Sequence, residues 1–159
     1  MAIGLTSGWI VRQMDYSRAH RMMEWEEVRV RICCPTRRRL VRDFRELEVW
    51  CKAHEVTLAV YRMTRMFPRE EAYGLTAQMR RSAASICANI AEGCGRRGGR
   101  ELARFLQIAA GSASELEYHL LLAADLKLVD GAAHGRVASL LTQVRRMLSG
   151  FLRTLRAKG

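Results

Sequence analysis

The stretch Val137-Ala138-Ser139-Leu140-Leu141-Thr142-Gln143-Val144-Arg145-Arg146-Met147-Leu148-Ser149-Gly150-Phe151-Leu152-Arg153-Thr154-Leu155-Arg156 carries the clearest period in the chain. Projected at about 100° per residue, Val137, Leu140, Leu141, Val144, Met147, Leu148, Phe151, Leu152 and Leu155 fill one apolar arc roughly 140° wide. An arc of that width is the buried face of an amphipathic helix, and other helices or a sheet must cover it. Arg145, Arg146, Arg153 and Arg156 gather in the adjoining arc, within roughly 100° of one another. The helix is expected from about Ala132 to Arg156, with Asp130 of Leu128-Val129-Asp130-Gly131 as its candidate N-cap.

The same period runs back through the chain. A third helix is expected from about Arg100 to Leu128, with Leu102, Phe105, Ala109, Ser112, Ala113, Leu116, Leu120 and Ala123 as its buried stripe. Before it, Gly93-Cys94-Gly95-Arg96-Arg97-Gly98-Gly99 is a glycine-rich break that few helices cross. A second helix from about Leu75 to Glu92 places Leu75, Met79, Ala83, Ile86 and Ile90 on one face. A first helix from about Asp43 to Met66 presents Phe44, Leu47, Cys51, His54, Leu58 and Tyr61 at alternating three and four spacing. Phe67-Pro68 ends it, and Gly74 closes the connecting loop. Four long helices, short connections and no alternating strand pattern give an all-α fold, an antiparallel up-down four-helix bundle over residues 41–157.

Residues 1–40 differ: eight arginines stand against four acids, no period is sustained, and Ser17 to Ile32 forms at best a weak helix. Pro35 and Arg37-Arg38-Arg39 argue for a loop at its end. This head reads either as a basic arm that folds or clamps on nucleic acid, or as a start placed too far upstream of internal Met14, Met22 and Met23.

Across all 159 residues, 27 Lys and Arg stand against 16 Asp and Glu, a net charge of +11. Such a balance points to an anionic partner. No uncharged apolar run reaches the roughly 18 residues of a membrane span, and Met1 to Val11 has neither the basic start nor the small-residue cleavage pattern of a signal peptide. The five cysteines show no CxxC and no zinc-finger histidine spacing. A cytoplasmic protein with reduced thiols is expected, Cys51 and Cys87 acting as small hydrophobes.

The arginines are the candidate functional groups. No acid lies between Gly131 and Gly159, so Arg145, Arg146, Arg153 and Arg156 have no partner on their own helix. A guanidinium ladder along two to three turns suits a phosphate backbone, because the planar fork engages two phosphate oxygens and stacks on bases. Arg80-Arg81 and Arg96-Arg97 add two further pairs, the second beside a helix N-terminus. The alternative is a solvated basic face, or pairing with carboxylates of other helices. A membrane role is disfavoured, since the apolar face of the fourth helix is needed by the bundle.

Catalysis is not expected. No Glu-x-x-His occurs, so the di-iron bundle pattern is missing, and Glu115 with His119 reads as a helical ion pair. The glycine-rich break lacks the Gly-Lys-Ser/Thr of a phosphate loop and follows a helix. Ser82, Ser85, Ser112 and Ser114 lie among alanines, without a histidine placed to activate them, and read as small residues that let helices approach. No cofactor or metal is implied.

Tyr73-Gly74-Leu75-Thr76-Ala77-Gln78-Met79-Arg80-Arg81-Ser82-Ala83, Ser85-Ile86-Cys87-Ala88-Asn89-Ile90-Ala91-Glu92-Gly93, and Arg104-Phe105-Leu106 followed by Ala110-Gly111-Ser112-Ala113-Ser114-Glu115-Leu116-Glu117 share a resemblance, as does Phe44-Arg45-Glu46-Leu47-Glu48-Val49-Trp50. They resemble the four-helix bundle family encoded in intervening sequences of 23S ribosomal RNA genes, which includes the accessory variability proteins of diversity-generating retroelements. The resemblance covers about residues 41–157 and implies a homopentamer around a central channel with a basic surface. In the retroelement branch it implies nucleic acid and a reverse transcriptase as partners. On physical grounds Asn89 needs a hydrogen-bond partner within a packed helix. Glu92, Glu115 and Glu117 are placed to cap or to pair with arginines between helices or subunits, and Gly93 and Gly111 to permit close approach or a helix end. With Ser112, these residues read as fold and assembly, and the arginines as function.

Overall fold

The computed structural model describes residues 43–157; the readings placed on residues 1–40 lie outside them. Four helices follow in order: α1 Glu48–Met63, α2 Leu75–Gly95, α3 Gly99–Asp125 and α4 Gly131–Arg156. Among the described residues there is no strand. Contacts run α1 to α2, α2 to α3, α3 to α4 and α4 back to α1, so each helix covers two neighbours and the four enclose one core.

The helices alternate in direction. The Thr57 hydroxyl of α1 donates to the Ala83 carbonyl, whereas Thr64, further along, accepts from Arg80 Nε at 2.8 Å, earlier in α2. Ser85 meets Ser112 across the α2–α3 seam, while Gly93 meets Leu102 and Phe105. Between α3 and α4 only Leu126 to Asp130 intervene. Five residues span at most about 18 Å, less than half the roughly 40 Å length of α3, so α4 must double back.

Three of the four expected apolar stripes are the ones buried. Met79, Ala83, Ile86 and Ile90 of α2, Leu106, Ala109, Ala113 and Leu116 of α3, and Val144 and Leu148 of α4 are fully enclosed. The first helix is a correction. Its core side is Val49, Ala53, Val56, Val60 and Met63, while Cys51, His54, Leu58 and Tyr61 of the expected stripe are exposed. Leu47 is half-buried against the core. The helix carries two apolar stripes, and the narrower side chains are chosen because α1 lies close to α2: the Thr57 hydroxyl is shared between the carbonyls of Ala53 at 3.0 Å and Ala83 at 3.1 Å. Cys87, 3.5 Å from that hydroxyl, is half-buried, and burial pushes its thiol above the ordinary range.

Helix ends differ from expectation for local reasons. The first helix does not run unbroken from Asp43: a 3-10 turn covers Phe44–Glu46, capped by the Asp43 side chain, and Leu47 is extended before α1 begins. Its last turn also relaxes to a 3-10 turn over Thr64–Met66. Helix α2 passes the glycines expected to stop it and ends at Gly95. Gly93 and Cys94 are buried, and that burial outweighs the propensity cost of about 1 kcal/mol per glycine. The break falls at Gly98, whose φ of 94° suits a residue without Cβ. Helix α3 ends at Asp125 rather than Leu128, because Lys127 takes a left-handed conformation at φ 57°. The N–H groups of Leu128 and Lys127 then return to the carbonyls of Ala123 and Ala124, a Schellman closure without the usual glycine. A cap not foreseen is Glu71, whose carboxylate accepts from the Leu75 N–H at 3.0 Å at the start of α2. Asp130 caps α4 as expected, accepting from Ala133 N–H at 2.8 Å.

The two motif glycines part company. A Cβ on Gly93 would stand 3.0 Å from both Leu102 Cδ1 and Phe105 Cβ, whereas one on Gly111 would meet nothing within 4 Å. Gly111 therefore serves neither close packing within the chain nor a helix end, since it sits in the middle of α3. Gly93→Ala is expected to destabilise by about 1–3 kcal/mol through overpacking, and Gly111→Ala to stabilise by up to about 1 kcal/mol. Urea titration of both variants checks the opposite signs.

The hydrogen bond from Ala133 N–H holds the Asp130 carboxyl below its ordinary value. A lowered pKa in the folded state contributes stability above the unfolded value of about 3.9 and loses it as pH falls through the folded one. Asp130→Ala is expected to lower the thermal midpoint at neutral pH, with the gap from the parent narrowing below about pH 4. A pH series of melting curves measures this.

Candidate nucleic-acid interface

Arg146 and Arg153 lie exposed on the side of α4 opposite Val144, Leu148 and Phe151. Arg156 is exposed in the last turn, where a cation also complements the helix dipole. None of the three has an ion-pair partner among the described residues. Arg145 is different: half-buried, it turns toward α3 and pairs with Glu117.

Because α3 and α4 run in opposite directions, the last turn of α4 ends beside the α2–α3 turn. That turn carries its own arginines. Arg96 pairs with Glu92 one helical turn earlier, and its guanidinium lies 5.4 Å from the centre of the Phe105 ring. Arg104 approaches the same ring at 5.7 Å and stands 3.7 Å from Glu101. Arg97 and Arg100 are exposed and carry no ion pair among the described residues. One end of the bundle thus assembles unpaired Arg97 and Arg100 from the α2–α3 turn and the first turn of α3 with Arg153 and Arg156 from the last turn of α4, while Arg146 stands about 15 Å back along α4 from Arg156. Arg100 is not among the arginines expected from sequence; its place in the first turn of α3, three residues after Arg97, is the signal that marks it.

Arg80 and Arg81 do not join them. They lie about 24 Å along the α2 axis from Arg96 and Arg97. Arg80 donates to Thr64 and lies 5.0 Å over Tyr61, and Arg81 stands 3.5 Å from Glu115. Glu115 therefore serves an interhelical pair and not the expected pair with His119, whose ring instead lies 5.7 Å from that of Tyr118.

Of the motif residues, Asn89, Gly93 and Ser112 line the α2–α3 seam, whereas Gly111 is exposed and Glu117 turns toward α4. Asn89 Nδ2 donates to the Ser85 carbonyl at 2.8 Å and to its hydroxyl at 3.0 Å, and that hydroxyl meets Ser112 Oγ at 2.9 Å. The network joins the two helices in the half-buried seam and meets the hydrogen-bonding need of Asn89. Glu92 and Glu117 neutralise Arg96 and Arg145 respectively. Among the described residues no cluster of three or more His, Cys, Asp or Glu is placed to hold a metal ion, and no helix is long and apolar enough to cross a membrane.

An all-α bundle with a serine–asparagine seam and an arginine-rich end is the class these features define. The family described as 23S rRNA-intervening sequence protein matches residues 45–150, and the chain belongs to that family. A crystal structure from Bacteroides thetaiotaomicron VPI-5482, titled as a protein with unknown function from the S23 ribosomal protein family, is similar at a TM-score of 0.61 and 23% sequence identity. The match covers 65% of this chain and 97% of that one, and at this identity it shows the shared fold. A search of curated proteins returns no match.

Proposed function

We propose that this protein is a non-enzymatic, homo-oligomeric bundle of the cytoplasm that binds RNA or DNA through backbone phosphates with low sequence specificity. The carrying observation is the group Arg97, Arg100, Arg146, Arg153 and Arg156, exposed and without acid partners among the described residues. Arginines left unpaired keep both their charge and their forked donors for an outside anion. Phosphate contacts position a ligand but do not read its sequence.

Arg145, Arg96 and Arg81 act mainly within the fold in this reading, since each already holds a carboxylate. Affinity is expected to fall steeply with salt, and the slope to flatten by about one unit for each phosphate contact removed. Arg146→Ala and Arg153→Ala should flatten it, while Arg145→Ala and Arg81→Ala should change it little. Anisotropy titrations across a salt series decide the matter; salt-independent binding, or equal effects of all four substitutions, would sink the assignment.

A second observation supports self-association. Cys51, His54, Leu58 and Tyr61 form an exposed line along α1 opposite its core face, with Leu58 and Tyr61 still 42% and 44% exposed. In the proposal this line is the contact between copies, five by family resemblance, and repeated arginine faces then add avidity. The same line also suits the competing reading of an adaptor for a protein such as a retroelement reverse transcriptase. Leu58→Glu combined with Tyr61→Glu should reduce the mass seen by light scattering to that of a smaller species. A parent protein that is already monomeric favours the adaptor.

A further inference from the structure

We infer that the nucleic acid taken by the arginine face is single-stranded, with Tyr118 as the platform on which one of its bases stacks. This rests on the phosphate-binding reading above and adds the class of ligand to it. Tyr118 is 60% exposed on α3. Its hydroxyl has no hydrogen-bond partner among the described residues, and the one aromatic ring paired with it there is that of its neighbour His119, at a tilt of 51°. Tyr73 and Leu121 are exposed as well, so exposure by itself does not single out Tyr118.

Its place on the helix supplies the reason. Arg100, Arg104, Gln107, Gly111, Ser114 and Tyr118 recur at alternating steps of four and three, so they form one line on the face of α3 turned away from Leu106, Ala109, Ala113 and Leu116. The line is about 27 Å long. Its arginine end lies beside the last turn of α4, and its tyrosine end is level with Arg145, because Glu117 next to Tyr118 pairs with that arginine. Arg146, Arg153 and Arg156 run along the neighbouring helix. A strand whose phosphates follow these arginines turns its bases toward the α3 line.

In a duplex the base faces are stacked on one another and closed to a protein ring. A single strand offers them, and aromatic stacking is then tolerant of sequence. Gly111 fits the same account. It is exposed in mid-helix, where a larger residue would strengthen the helix and meet nothing within the chain, and it leaves the line low between Gln107 and Ser114.

The test uses the full chain and labelled oligothymidylate, oligouridylate and a blunt duplex of equal length, read by anisotropy at low salt. Tyr118→Ala should weaken both single strands roughly 5- to 100-fold and leave the duplex within about twofold. Tyr118→Phe should bind like the parent, because the ring and not the hydroxyl is used. Gly111→Leu should weaken single-strand binding while raising the thermal midpoint. Equal losses on single strands and duplex, no loss in Tyr118→Ala, or an altered oligomer mass in that variant would overturn the inference. If the arginine substitutions weaken binding and Tyr118→Ala does not, the phosphate reading stands and the stacking site falls. If the parent binds none of the three probes, both fall.

Discussion

The close approach of α2 to α3 is the constraint on which the rest of this structure depends. Gly93 lies where any Cβ would press on Leu102 and Phe105, and Ser85, Asn89 and Ser112 tie the seam with hydrogen bonds. That approach carries α2 through two glycines to Gly95 and leaves only Arg96, Arg97 and Gly98 to reverse the chain. The tight reversal brings Arg97 and Arg100 to the end where α4 finishes.

Charge on this surface is a matter of subtraction. Net charge alone suggests that every arginine is available, yet Glu92, Glu101, Glu115 and Glu117 each take one. These pairs are solvent-exposed, so each contributes little to stability, about 0–1 kcal/mol. Their larger effect is on the field: they neutralise the arginines of the seam, and leave unpaired guanidiniums along α4 and around the α2–α3 turn, as well as Arg62, Arg65 and Arg69 at the other end of the bundle. A carboxylate placed on α4 would have neutralised part of its basic face, and α4 has none.

The fold was legible because periodicity reports which side of a helix must be covered. It worked for α2, α3 and α4, where one apolar stripe dominates, and misled for α1, where two compete. Val56 and Leu58 are equally apolar. What separates them is width: the seam against α2 admits Ala53, Val56 and Val60 beside a threonine that reaches the Ala83 carbonyl. The arginines of α4 were legible for the same reason, as a stripe on one helix. The division of labour among them was not, since Arg145 and Arg146 adjoin in sequence and differ only in which neighbour they face.

Sequence by itself determined the class: four amphipathic helices, their approximate ends, the Asp130 cap and a basic face free of acids on the last helix. These follow from short-range physics, in which a residue's side of a helix depends on its spacing from its neighbours. Tertiary structure alone decided which stripe of α1 enters the core, which glycine is sterically required, which arginines are neutralised, and that the α2–α3 turn and the last turn of α4 share one end of the bundle. Each of those depends on distances between residues far apart in the chain, and such distances exist only once the helices have packed.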